Sequence, residues 1–281
     1  MIRAFLLLFA VMAGCARPIP PAQDMATALQ KMEDICRQEL NIKPVIILKW
    51  KTLHLYLPIT SNLFKFKPGE KPPRGSKEKG QRQQINFFET TFKGQTIAIS
   101  YDISLINIYP KNPSPMTAYT DELSKINTGL LTAIHRSLGD LNTEDSPDFI
   151  VLLIANITDG VGIKTIFHSI DLKRHLEQSL PQEEFILRYM TEMTGGTTLI
   201  NNTTGKGLEF EEITWPEFIA KQITHRINFK YTQSSFPPTG NDIDEILAAV
   251  QAAIQAYDFK DVKGIELTDL KNGDRHSFPI K

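Results

Sequence analysis

The 281-residue chain carries 31 basic and 32 acidic side chains, a net charge of −1, so no global field gathers nucleic acid. Hydrophobic residues make up 41 %, enough for a folded core and too many for a disordered chain. Two cysteines exclude both a disulfide framework and a cysteine-based metal site.

The chain opens Met1-Ile2-Arg3, then runs apolar to the small residues Ala13 and Gly14 and to Cys15. The apolar run is too short for a membrane-spanning helix, which needs about 20 residues. Its order of basic end, apolar core and small residues is that of a secretory signal peptide. Residues 1–15 resemble the lipobox of bacterial lipoproteins, the site of signal peptidase II; Met12 stands where Leu is commonest. The resemblance implies removal of residues 1–14 and a lipid-bearing Cys15 as the first mature residue, with the membrane as partner through that lipid. Ala16, in place of Asp, implies sorting to the outer membrane facing the periplasm if the organism is diderm. Processing leaves 267 residues (281 minus 14) with 30 basic and 32 acidic side chains, a net charge of −2.

Residues 15–23, with Pro18, Pro20 and Pro21, read as an extended tether. Asp24 caps a helix whose apolar side carries Met25, Leu29, Met32, Ile35, Cys36 and Leu40, so Cys36 is expected as a buried, inert thiol. Two β-rich runs, 44–50 and 52–59, form a hairpin turning near Trp50-Lys51. Residues 65–82 hold seven basic side chains against Glu70 and Glu78, broken by Pro and Gly, and read as a long basic loop. Lys71, Arg74, Lys77 and Lys79 are its candidate contacts for an anionic surface or a partner.

Ile85–Phe92 and Gln95–Ile103 flank Lys93-Gly94 as a second hairpin, and Asn107–Pro115 is a connector. A helix starts at Asp121 with Leu123, Ile126, Leu130, Ile134 and Leu138 on one side. Asp148–Ile157 and Val161–Ile170 form a third hairpin; Asp171–Ser179 and Gln182–Met193 are expected to be helical. Thr194–Gly207 is a loop. Thr214-Trp215-Pro216-Glu217 opens a helix with cap, early proline and acid in place. After a linker at 234–240, Asp242 starts a helix with Ile243, Ile246, Leu247, Val250 and Ile254 on one face. Val250 and Ile254 are expected buried against the last hairpin, which turns at Asn272-Gly273.

Three stretches repeat the order helix then hairpin: 24–59, 121–170 and 242–280. A lone hairpin is marginal in water and needs cover on its apolar face. The expected fold is therefore α+β, mostly antiparallel sheet built of β-hairpins covered by helices. The globular region spans 24–281, with sub-units 24–115, 116–233 and 241–281.

No motif for chemistry emerges. His54, His135, His168, His175, His225 and His276 form no metal-spaced pair, and those on strands read as solvent-facing. No nucleophile elbow, phosphate loop or dinucleotide loop is complete. The acid clusters Glu183-Glu184 and Glu209-Glu211-Glu212 read as solvated faces. No catalytic residue, cofactor, metal or small-molecule ligand is assigned. The expected role is non-catalytic binding or scaffolding in the bacterial envelope, with an envelope protein as partner. The alternatives are an envelope hydrolase with a dispersed site or a solute-binding lipoprotein. Nucleic acid is not expected as a partner.

Overall fold

The computed structural model describes residues 24–66, 88–103, 116–141, 144–232 and 241–280. Cys15, the tether, the connector at 107–115, the linker at 234–240 and four basic loop residues (Lys71, Arg74, Lys77 and Lys79) lie outside them. The described elements are α1 (Met25–Glu39), β1 (Val45–Lys49), β2 (Thr52–Ile59), β3 (Phe64–Phe66), β4 (Phe88–Lys93), β5 (Thr96–Tyr101) and β6 (Met116–Tyr119). Then come α2 (Asp121–Leu138), β7 (Phe149–Asn156), β8 (Val161–His168), α3 (Ser169–Leu176), α4 (Gln182–Arg188) and β9 (Met190–Gly195). The chain ends with α5 (Trp215–Thr232), α6 (Asp242–Ala256), β10 (Gly264–Asp269) and β11 (Arg275–Pro279).

The fold is α+β. A five-stranded sheet runs β1-β2-β7-β8-β9, a four-stranded sheet β11-β10-β5-β4, and β3 pairs with β6. The four expected hairpins all form, and two of them join in each large sheet through a parallel ladder. The second strand of one hairpin lies beside the first strand of the next: β2 with β7 and β5 with β10. The other ladders are antiparallel. These pairings tie the sub-units 24–115, 116–233 and 241–281 into shared sheets.

Alternation along the strands decides the layers. Leu53, Leu55 and Leu57 of β2 and Ile150, Leu152 and Ile154 of β7 face α1 and α2, forming one core with Met32, Leu130 and Ile134. The opposite face presents Phe149, Val151 and Ile166, which meet α5, α6 and the inner face of the four-stranded sheet in a second core. Cys36 is fully buried, and burial pushes its thiol up to about 11, as an inert core residue requires.

Four expectations change. The helix predicted over 182–193 stops at Arg188; Met190–Gly195 becomes β9 because the open edge of β8 offers it a ladder and Thr191 and Thr194 suit a strand. His54 and His168 are buried, since the five-stranded sheet is covered on both faces. Val250 is fully buried, but Ile254 is only partly so. At the start of the basic stretch, read as loop, Lys65 lies in β3 instead and its Nζ pairs with Asp121 Oδ1 at 2.8 Å. Among the described residues, no helix is long and apolar enough to cross a membrane.

Candidate functional site

The second face of the five-stranded sheet carries three cross-strand rows that build a pocket. Register aligns Thr52–Phe149–His168, then His54–Val151–Ile166–Met190, then Tyr56–Leu153–Lys164–Glu192. The start of α5 closes the first row. Phe149 meets Trp215 at 5.0 Å and Phe218 at 4.6 Å between ring centroids, and Trp215 Nε1 donates to Asp148 Oδ2 at 3.2 Å.

The segment from Gly196 to Ile213 arches over the other rows, pinned to successive alternate residues of β2. The Tyr56 hydroxyl donates to the Asn202 carbonyl (2.5 Å), His54 Nε2 bonds the Glu211 carbonyl (2.9 Å), and Ile213 N–H donates to Thr52 Oγ1 (2.9 Å). Two glycines make the arch possible. Gly160, at φ +68°, would drive a Cβ to 2.8 Å from the Ile200 side chain and 2.9 Å from the Gly196 carbonyl. Gly205, at φ +72°, would meet Tyr56 and Phe210 at 3.2 Å.

Between arch, sheet and α5 remains a pocket of about 360 Å³. Val151, Leu153 and Ile166 form an apolar floor, Phe210 a wall, and Glu209, Glu211, Glu212 and Glu217 an acidic side; Lys164 and Lys221 supply cations. Its size and its apolar floor, bordered by charged groups of both signs, suit a small charged molecule.

Three of the seven titratable side chains that line the pocket are engaged by neighbouring groups. Burial lowers the His54 pKa, so the ring is neutral and spends its Nε2–H on Glu211. Glu217 accepts from Thr214 N–H at 2.8 Å and from Thr214 Oγ1 at 2.9 Å, capping α5. Lys221 pairs with Glu192 at 3.7 Å. Lys164 has no hydrogen bond or ion pair within the described residues and faces the pocket from its floor.

A second polar cluster lies buried where α3, α4, α5 and the end of α6 meet. Arg188 donates to Asp171 Oδ1 and, through Nε, to Glu184 Oε1, both at 2.8 Å; Arg226 reaches the same Glu184 oxygen at 3.0 Å. The Tyr257 hydroxyl donates to Asp171 Oδ2 at 2.9 Å, and Gln222 Nε2 donates to the Arg188 carbonyl at 2.6 Å. Burial opposes the Glu184 charge, but the two arginines outweigh it and hold the carboxyl below its usual range. Burial, reinforced by the Asp171 charge, pushes the Tyr257 phenol up, so it remains a donor. This cluster serves as a lock between elements.

Sequence reasoning placed the acids on solvated faces, and Glu183, Glu209, Glu211 and Glu212 are exposed, the last three at the rim of the pocket; Glu184 departs from it, half-buried in an ion network. No local signal marks Lys164 or Asp171, because their partners arrive from distant segments. Among the described residues, no group of three or more His, Cys, Asp or Glu is placed to hold a metal ion. The chain matches no family model, and no curated protein or solved structure proved similar to it.

Proposed function

We propose that this chain is a lipid-anchored protein of the bacterial envelope whose α+β domain binds a ligand and does not turn it over. The pocket chemistry carries this reading. His54 and Glu217 are committed to hydrogen bonds that hold the walls and Lys221 to an ion pair with Glu192, leaving Lys164 as the open cation, with the Glu209, Glu211 and Glu212 carboxylates at the exposed rim. His54 is the one imidazole lining this pocket among the described residues, and with its Nε2–H spent on the Glu211 carbonyl it is not free to carry a proton to a reacting atom. The acidic side and the unpaired Lys164 suit a compact zwitterion, its amine toward the glutamates and its anionic group toward Lys164. The anchor reading is supported by the lipobox-like order of residues 1–15.

Two measurements test it. Metabolic labelling with a fatty-acid analogue should mark the wild-type protein and not Cys15→Ser; equal labelling of both overturns the anchor. For the pocket, thermal unfolding of the mature protein is followed with a panel of amino acids and short peptides. A ligand at a hundredfold excess over its Kd adds about 2.7 kcal/mol, a rise of about 5–10 °C for a chain of this size. That rise should vanish in Lys164→Glu and in Leu153→Trp, which fills the floor. Hydrolysis of ester, amide or glycoside test substrates that these two variants abolish would establish the hydrolase alternative instead.

A further inference from the structure

The β1–β2 hairpin turns at Trp50 and Lys51, and Trp50 is 81 % exposed. Its backbone has φ +50°. The first central position of a two-residue hairpin turn calls for positive φ, which Gly or Asn normally supplies. A bulky ring held there points away from the protein it belongs to, between Lys49 and Lys51. Strain of this kind concentrates at functional positions.

Contacts fix where this tip lies relative to the route of the chain from Cys15. Asp148 N–H and Phe149 N–H donate to the Lys51 carbonyl at 2.8 and 3.1 Å, so β7 starts beside the tip. Ser169 N–H donates to the Asp148 carbonyl at 2.9 Å, and Lys173, one turn further along α3, donates to Gly139 O at 3.2 Å. The end of α2 therefore lies at the tip's end of the sheet. There Asp140 pairs with Lys31 at 3.6 Å, while Arg136 meets Glu39 and Gly129 abuts Leu40, so α1 and α2 run antiparallel. α1 thus begins at the tip's end, and Asp24 lies seven residues, about 10 Å, beyond Lys31. From Cys15 to Asp24 the chain reaches at most about 30 Å. A lipid on Cys15 holds this end of the domain toward the bilayer.

We infer that Trp50 is a second, non-covalent contact with that bilayer, its ring seated among the headgroups where amphipathic indoles concentrate. The inference rests on the anchor reading above. The ring carries the contact more than charge does. Lys51 is already bonded to the Glu144 and Ser146 carbonyls, and Glu144 and Asp145 are exposed beside it. Binding through the tip should therefore resist salt, unlike a polybasic patch.

The test uses the mature protein in vesicles of phosphatidylethanolamine and phosphatidylglycerol, with and without brominated acyl chains. The chain has two tryptophans, and Trp215 is half-buried, so the emission that Trp50→Phe removes belongs to Trp50. Brominated chains should quench most of that emission, at low and high salt alike, and leave Trp50→Phe unaffected. Mass measurement of the N-terminal peptide reports the lipid in the same sample. Lipid present with Trp50 unquenched overturns the inference, keeps the anchor and frees the tip for a protein partner. A Cys15 without lipid overturns the anchor reading and this inference together.

Discussion

An indole at φ +50° costs the hairpin turn roughly 1–2 kcal/mol relative to a residue without Cβ. Trp50→Gly should therefore stabilise the protein by about 0.5–1 kcal/mol, once the extra freedom of Gly in the unfolded chain is deducted. Urea unfolding measures it; a loss of more than 1 kcal/mol would mean the ring is packed in solution. The same substitution should abolish any membrane contact of the tip, setting stability against attachment at one residue. His54 and His168 teach a different lesson at this scale. Both sit on strands where period-2 alternation gives two faces, and nothing in either strand alone says that the second face is covered. They are 5 % and 8 % exposed because α5 and the segment before it, some 50 to 160 residues away in sequence, close over that face.

The elements themselves were readable from local pattern. The turns at Trp50-Lys51, Gly94, Asp159-Gly160 and Asn272-Gly273 lie between runs of β-branched and aromatic residues, and each forms a hairpin. What local pattern could not reveal was pairing between hairpins. The parallel ladders β2–β7 and β5–β10 join strands about 100 and 170 residues apart, and no turn residue announces them. β9 escaped for the same reason: its partner edge, more than its own residues, makes it a strand. The pocket was legible only in fragments. The acid cluster at 209–212 and the Thr/Gly loop were visible, yet their meeting with Lys164 depends on the arch over the sheet. On α6 the apolar stripe was visible, but its most enclosed position is set by packing on α5. Val250→Ala should cost about 2 kcal/mol, from the lost methyl groups plus the cavity they leave. Ile254→Ala removes a larger side chain from a half-exposed position and should cost less than its full-burial value of about 2–5 kcal/mol. If denaturant melts show Ile254→Ala the more damaging by over 1 kcal/mol, the helix is rotated from the position described.

Across the whole molecule, two cores meet at the Asp171–Arg188–Glu184–Arg226 network, which holds α3, α4 and α5 in one arrangement. Asp171 is 1 % exposed, so its charge depends on Arg188 and Tyr257. Arg188→Met should cost about 3–5 kcal/mol by stranding that carboxylate, whereas exposed pairs such as Lys260–Asp258 should contribute under about 1 kcal/mol. The same architecture sets the response to acid in two steps. Burial lowers the pKa of His54, His168 and His225. A group with a depressed folded pKa supports the fold above its unfolded value and loses that support as pH falls through the folded one. For histidine the unfolded value is about 6.5, so stability should start to fall just below it. Glu184 follows the same sign lower down: its stabilisation is present above about pH 4.3 and disappears as pH falls through its lower folded value. Urea midpoints measured from pH 8 to pH 3 should therefore decline twice. His54→Gln and His225→Gln should flatten the first decline and leave the second, while Glu184→Gln should do the reverse. A single decline confined to pH below 4, unchanged by the histidine substitutions, would show that these imidazoles titrate as freely in the folded protein as in the unfolded chain.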